Sequence, residues 1–150
     1  MRAVIQRVSA AVVSIDGLTK SQIGPRLLVL LSVANGDTAD DVAWLAGKIA
    51  ALRVFSDDAG RMNRSVCDVN GEVMIISQFT LIASTRKGTR PSFNDAARPE
   101  LAVPLYESFV QTISKITGKP AAMGKFGAEM KVTLTNDSPI TLVIDSRHRE

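Results

Sequence analysis

The stretch "VTLTNDSPITLVID", residues 132–145, decides how the chain closes its sheet. Two runs of alternating apolar and β-branched residues flank Asn136, Asp137, Ser138 and Pro139. Such runs form strands, because branched side chains pack well on a pleated surface. Two strands around a short polar break read as a β-hairpin. Yet the break is poor hairpin chemistry. A two-residue hairpin turn favours Asn-Gly or Asp-Gly, whose residues take φ > 0. Here Ser138 stands where glycine would be easy, and Pro139 follows. Two readings are open: a tolerated turn, or an unusual backbone presented to something else.

Outward from this segment the chain reads as short elements. "MRAVIQRVSAAVVSID", residues 1–16, places Val4, Gln6 and Val8 on one strand face and Ala3, Ile5 and Arg7 on the other. It reads as two short strands bent near Ser9–Ala10. Asp16-Gly17 is a hairpin signal, with Leu18 to Ile23 as the return strand. "RLLVLLSVA", residues 26–34, is a continuous apolar run, the pattern of a strand covered on both faces. Thr38 as N-cap, with Asp41 three residues on, approximates a capping box. Val42, Leu45, Ile49 and Leu52 recur at helical spacing, which predicts a helix over about 39–53.

"SDDAGRMNRS", residues 56–65, reads as a polar loop, and "EVMIISQFTL", residues 72–81, as a buried strand after the Asn70-Gly71 turn. "IASTRKGTRPSFNDAARP", residues 82–99, is the least regular part and carries Arg86, Lys87, Arg90 and Arg98. A loop that long is more often functional than a short connection is. A second helix is predicted over about 100–117, with Ala102, Leu105, Phe109, Ile113 and Ile116 as its apolar stripe. Pro104 is then expected in its first turn, where free N–H groups make proline tolerable. "TGKPAAMGKFGAEM", residues 117–130, is a Gly-rich loop. The expected fold is one α+β domain over residues 1–150. It has mostly antiparallel β-sheets, barrel-like or layered, and two helices.

Bulk properties bound the function. With 150 residues, 45% of them apolar and 22% charged, the chain has the balance of an ordinary soluble globule with a real core. Net charge is +3, which permits an anionic partner such as RNA without requiring one. Part of that charge lies in the C-terminal "SRHRE", read as a frayed tail. Cys67 is the only cysteine and His148 the only histidine, so an internal disulfide and a Cys/His zinc site are excluded. No long apolar run or signal-peptide core is present, and cytoplasm is the expected compartment.

Elimination narrows the chemistry. A Ser-His-Asp or Cys-His arrangement would need His148, a lone residue in a tail. Asp57-Asp58 beside Gly60 reads as a turn, and Cys67 as an ordinary thiol. "GKFGAEM" lacks the Lys-[Ser/Thr] ending of a phosphate loop. What remains is hydroxyl, amide and backbone. "SQFTL", Ser77 to Leu81, ends an apolar strand with polar groups, which either line a site or cap the strand. "GTRPSF", Gly88 to Phe93, is a basic, aromatic-flanked loop that suits RNA phosphate or a plain surface turn. Phe126 and Met130 suit stacking on a base or an apolar contact under the Gly-rich loop.

Taken together, "MRAVIQRVSAAVVSIDG", "LLVLLSV", "RVFSDDAGRMNRSV", "VMIISQFTL", "KGTRPSF" and "KFGAEMKVTLTNDSPIT" resemble the D-aminoacyl-tRNA deacylases (the D-tyrosyl-tRNA deacylase family). The likeness covers nearly the whole chain in order. It implies a single deacylase domain and a homodimer that removes D-amino acids wrongly esterified to tRNA, a proofreading step in translation. It implies no metal or organic cofactor, and no membrane. The site would lie at the dimer interface. Ser77, Gln78, Phe79 and Thr80 would line the pocket of one subunit, with Gln78 and Thr80 closest to the chemistry. Ser138 and Pro139 would come from the other subunit, joined by a cis peptide bond, their carbonyls facing the substrate. Arg7 would fix that dipeptide. Phe126 and Met130 would contact the 3′-terminal adenosine of the aminoacyl-tRNA, and Ala102 would lie near the pocket wall.

Two mechanisms follow from the resemblance. In one, the Thr80 hydroxyl attacks and an acyl-enzyme forms. In the other, the neighbouring ribose 2′-hydroxyl helps activate water while Gln78, Thr80 and backbone N–H groups hold the ester and its oxyanion. The absence of an obvious base for Thr80 favours the second. One departure stands out. The family pattern is Gly-Pro, whereas here it is Ser138-Pro139, with a side chain where the family has hydrogen. A relaxed deacylase that also removes glycine or L-alanine, and a dimeric RNA-binding module without turnover, are the alternatives.

Overall fold

A computed structural model describes residues 1–149. Its first strand, β1 (Arg2–Ile15), is the spine of the sheet. Ala3 and Ile5 face a core shared with the helices, whereas Val8, Ala11 and Val13 face a second core on the other side of the sheet. Strict alternation would put Val8 and Ala11 on opposite faces. The register against the last strand shifts between Val8 and Ala10, and that irregularity keeps both on one side. The bend expected at Ser9–Ala10 is therefore a bulge within one continuous strand.

Asp16 and Gly17 take φ of 51° and 76° and turn β1 into β2 (Leu18–Ile23), as the Asp-Gly signal requires. β3 (Arg26–Ser32) follows. Leu27, Val29 and Leu31 enter the helix-side core while Leu28 enters the other, so the apolar run is covered on both faces. β6 (Val73–Ser77) does the same with Val73 and Ile75 against Met74 and Ile76. It runs parallel to β3, and β7 (Ala122–Met123), inside the expected Gly-rich loop, runs parallel to β6. The sheet is thus mixed, with order β2-β1-β3-β6-β7 and a further strand on β1. The Ser21 hydroxyl donates to Met123 O at 2.9 Å, joining β2 to β7 and bringing the sheet to a nearly closed barrel.

That further strand is β8 (Lys131–Asp145), and it corrects the hairpin reading. Both of its halves pair antiparallel with β1, not with each other. Val8 faces Asn136 and Gln6 faces Thr141, so residues 137–140 stand opposite Arg7 alone. The polar break is an outward excursion in one long strand.

Two helices pack together over one face of the sheet: α1 (Ala39–Ala51) and α2 (Pro99–Thr117). The Asp41 carboxylate accepts from the Thr38 N–H at 2.8 Å, the expected capping contact. α2 begins at Pro99, so Pro104 lies in its second turn rather than its first. Tyr106 and Val110 join the buried face of α2, whereas Ile116, expected there, is exposed. The polar loop after α1 contains a small ribbon, β4 (Phe55–Ser56) with β5 (Met62–Arg64). The strand expected through Leu81 stops at Ser77 and becomes a 3₁₀ turn over Phe79–Ile82.

The C-terminal segment is docked rather than frayed. The Ser146 hydroxyl donates to Asp41 at 2.6 Å and accepts from the α-ammonium of Met1 at 2.7 Å. That ammonium is buried against Asp37 at 2.7 Å, and Arg147 and Arg149 pair with Asp37 and Asp40.

Candidate active site

The parallel pair β3–β6 ends where its apolar run gives way to polar residues. The Gln78 N–H donates to Leu31 O at 2.8 Å, and the Ser32 hydroxyl donates to Phe79 O at 3.3 Å. These two bonds tie the 3₁₀ turn to the end of β3. Beside them opens a pocket of about 300 Å³, at the small end of the range for ligand sites. Ser77, Gln78 and Phe79 form one wall, Ala102 and Tyr106 of α2 another, and Phe126 and Met130 a third.

Gln78 donates its side-chain amide to Thr80 Oγ1 at 2.5 Å. Thr80 is exposed beside the pocket rather than among its walls. The bond holds the hydroxyl still, but an amide is not a base. Phe79 and Thr80 open the 3₁₀ turn, so their N–H groups precede its first internal bond, which Leu81 N–H makes to Gln78 O. The site therefore combines a fixed amide, a fixed hydroxyl and backbone donors, a set suited to binding an oxyanion rather than to side-chain attack.

Tyr106 and Ser32 escaped the sequence reading. The Tyr106 hydroxyl donates to Ile75 O at 2.7 Å, anchoring the strand that leads into Ser77. Desolvation pushes its pKa to about 12, so it remains a donor across the ordinary pH range. Gly124 also matters. A Cβ there would stand 2.4 Å from Met130 Sδ, so glycine lets the thioether lie flat against the pocket wall.

Arg7, Ser138 and Pro139 lie apart from this pocket and line none of it. The Ser138–Pro139 bond is cis, and both residues are exposed at the tip of the excursion in β8. Arg7 Nε pairs with Asp137 Oδ2 at 2.8 Å while its Nη1 donates to Val54 O at 2.6 Å. Asn136, which the sequence reading passed over, donates its amide to both Arg7 O (2.9 Å) and Ile140 O (3.1 Å). A guanidinium on one side and an amide across the base thus hold the protrusion outward, away from its own pocket.

Comparison with known proteins places the whole chain in a family. The family model described as D-Tyr-tRNA(Tyr) deacylase matches residues 4–145. The chain is 66% identical, over the full length of both proteins, to the D-aminoacyl-tRNA deacylase of Opitutus terrae. It is 54% identical over full length to the one of Akkermansia muciniphila. A solved structure titled c-Myc DNA Unwinding Element Binding Protein superposes with a TM-score of 0.90 at 38% identity, covering 97% of this chain and 98% of that one. A second, of a probable eukaryotic D-amino acid tRNA deacylase, gives 0.82 at 14% identity, covering 95% and 97%, and speaks to the fold alone. The chain belongs to the D-Tyr-tRNA(Tyr) deacylase family, whose activity is hydrolysis of D-aminoacyl-tRNA.

Proposed function

We propose that this protein hydrolyses the ester bond of D-aminoacyl-tRNA, releasing free D-amino acid and tRNA, in a pocket completed by a second copy of the chain. The observation that carries the reading is the fixed Gln78–Thr80 pair beside a pocket walled by Phe126 and Met130. The terminal adenosine lies against Phe126 and Met130. The aminoacyl ester lies along Ser77 to Thr80, near Ala102, with the Phe79 and Thr80 N–H groups on its oxyanion. Thr80 Oγ1 accepts a hydrogen bond from the Gln78 amide, and among the described residues no side-chain base is hydrogen-bonded to it. Hydrolysis therefore uses water assisted by the ribose 2′-hydroxyl, with Gln78 and Thr80 positioning the ester.

Ser138 and Pro139 enter the partner's pocket. Three features support this: both are exposed, they line none of their own pocket, and Arg7, Asp137 and Asn136 hold them outward. Their carbonyls accept from the α-amino group, and rigid backbone rejects an L side chain by clash. The work takes place in the cytoplasm, where charged tRNA is consumed.

A second reading rests on Ser138. Its side chain narrows or shifts the gate relative to the glycine of the family pattern, which favours a deacylase that also removes glycine or L-alanine. Deacylation of D-Tyr-, L-Tyr- and Gly-tRNA side by side separates the readings. Loss of the D-tyrosyl ester alone is expected. Equal loss of both tyrosyl esters would eliminate chiral selection, and loss of none would leave an RNA-binding module.

A further inference from the structure

We propose that the loop of residues 83–98 is a phosphodiester clamp for the single-stranded 3′ end of tRNA, standing beside the pocket. The inference rests on the reading that the substrate is a tRNA ester. Its first support is the charge distribution. The loop holds four basic residues (Arg86, Lys87, Arg90 and Arg98) against one acid, Asp95, and thus the whole +3 of the chain. Everywhere else, acids and bases balance.

The second support is the state of those cations. Each arginine outside the loop donates to a carboxylate, a carbonyl or a side-chain amide oxygen. Arg86, Arg90 and Arg98 are exposed and, among the described residues, have no side-chain partner; Lys87 is the same. A structure that engages every other guanidinium leaves only these three free. Arginine suits phosphate because its planar fork matches two oxygens at once.

The third support is placement. The Ser84 and Ser92 backbones exchange hydrogen bonds of 2.8 and 2.9 Å, closing residues 85–91 into a finger with Gly88 at φ 79°. Phe93 then packs edge-on against Phe79 of the pocket wall at 5.2 Å. Further along, the Ala97 N–H donates to Val33 O at 3.0 Å, and both residues line the pocket. The finger is thus fastened to the rim, where nucleotides preceding the terminal adenosine would pass.

The test measures binding of an uncharged RNA minihelix ending in CCA, across a series of KCl concentrations, for the wild type and R86Q/K87Q/R90Q. Each phosphate neutralised on a single strand contributes about 0.7 to the slope of log affinity against log salt. Removing three cations is therefore expected to flatten the slope by about 2 and weaken binding on the order of a hundredfold at 0.1 M salt. Cleavage of D-tyrosyl-adenosine, which has no phosphate, is expected to stay at the wild-type rate. An unchanged slope and affinity would overturn the clamp. So would an equal loss on the phosphate-free ester, which would make the loop a support for the pocket. The binding arm needs no turnover, so it decides the clamp even if the wild type cleaves neither ester.

Discussion

Asn136→Asp is the most telling perturbation of the protrusion in β8. The side chain keeps its size and shape, so packing is undisturbed. What changes is the donor: Asn136 now gives two hydrogen bonds, at 2.9 Å to Arg7 O and 3.1 Å to Ile140 O. A neutral bond of this kind contributes about 0.5–1.5 kcal/mol net, so Asn136→Ala is expected to lose about 1–3 kcal/mol. A carboxylate does worse than a methyl, because it turns an acceptor toward two acceptors. Each of the two carbonyls left facing it carries a penalty of about 1–3 kcal/mol, which puts Asn136→Asp at about 2–6 kcal/mol at neutral pH. The fold, with a margin of about 5–15 kcal/mol, survives. Urea midpoints at one fixed protein concentration measure the loss. Alongside, the ratio of D- to L-tyrosyl-tRNA cleavage reads the gate and is expected to fall, because Ser138 and Pro139 are no longer held. A variant as stable as wild type, or less damaged than the alanine variant, would refute the bridging role of the amide.

Three other expectations use different parts of the molecule. Thr80→Ala is expected to slow single-turnover hydrolysis of D-Tyr-tRNA, through loss of a positioning hydroxyl, but to leave it well above the uncatalysed rate if water is the nucleophile; a fall to the uncatalysed rate would restore the acyl-enzyme route. Gly124→Ala places a Cβ 2.4 Å from Met130 Sδ, so the thioether must swing off the wall; KM is expected to rise several-fold with kcat unchanged, as for lost uniform binding. Burial alone would raise the pKa of Asp145, but the Arg147 N–H and the Arg2 guanidinium outweigh it and hold it below 3.8. A depressed folded pKa means stability that is present above pH 4 and lost as pH falls through the folded value. Arg2→Met should therefore cost more at pH 6 than at pH 3 by urea unfolding, and a penalty equal at both would contradict that linkage.

The sequence was most informative where one residue pattern has one physical solution. Asp16-Gly17 signals a tight turn, the run Leu27 to Leu31 suits a strand buried on both faces, and Val42 to Ile49 follow the spacing of an amphipathic helix. It was least informative about partners. The two halves of "VTLTNDSPITLVID" alternate identically whether they pair with each other or both with β1, and the partner lies more than a hundred residues away. That one ambiguity turned an excursion into a hairpin. Likewise, Ser77 to Thr80 was visible as polar residues on an apolar strand. Its turn into a 3₁₀ helix depends on Ser32 and Leu31 of a neighbouring strand. Tyr106 was hidden because a tyrosine on an apolar stripe gives no sign of which carbonyl its hydroxyl will meet. The grip of Arg7 on Asp137 and Val54 O is a tertiary fact that no local residue pattern encodes.

The central claim is that each pocket is completed by the other copy's Ser138–Pro139, and subunit mixing tests it most directly. Ser77→Trp fills the pocket of one protomer and leaves its protrusion intact. Ser138→Trp makes the protrusion of the other too bulky to enter and leaves its pocket intact. Each homodimer is expected to be inactive on D-Tyr-tRNA. After exchange at equal amounts, half of the dimers are hybrids with one sound site, so activity should return to about a quarter of wild type per site. No recovery, with hybrids shown to form, would contradict a site shared between copies.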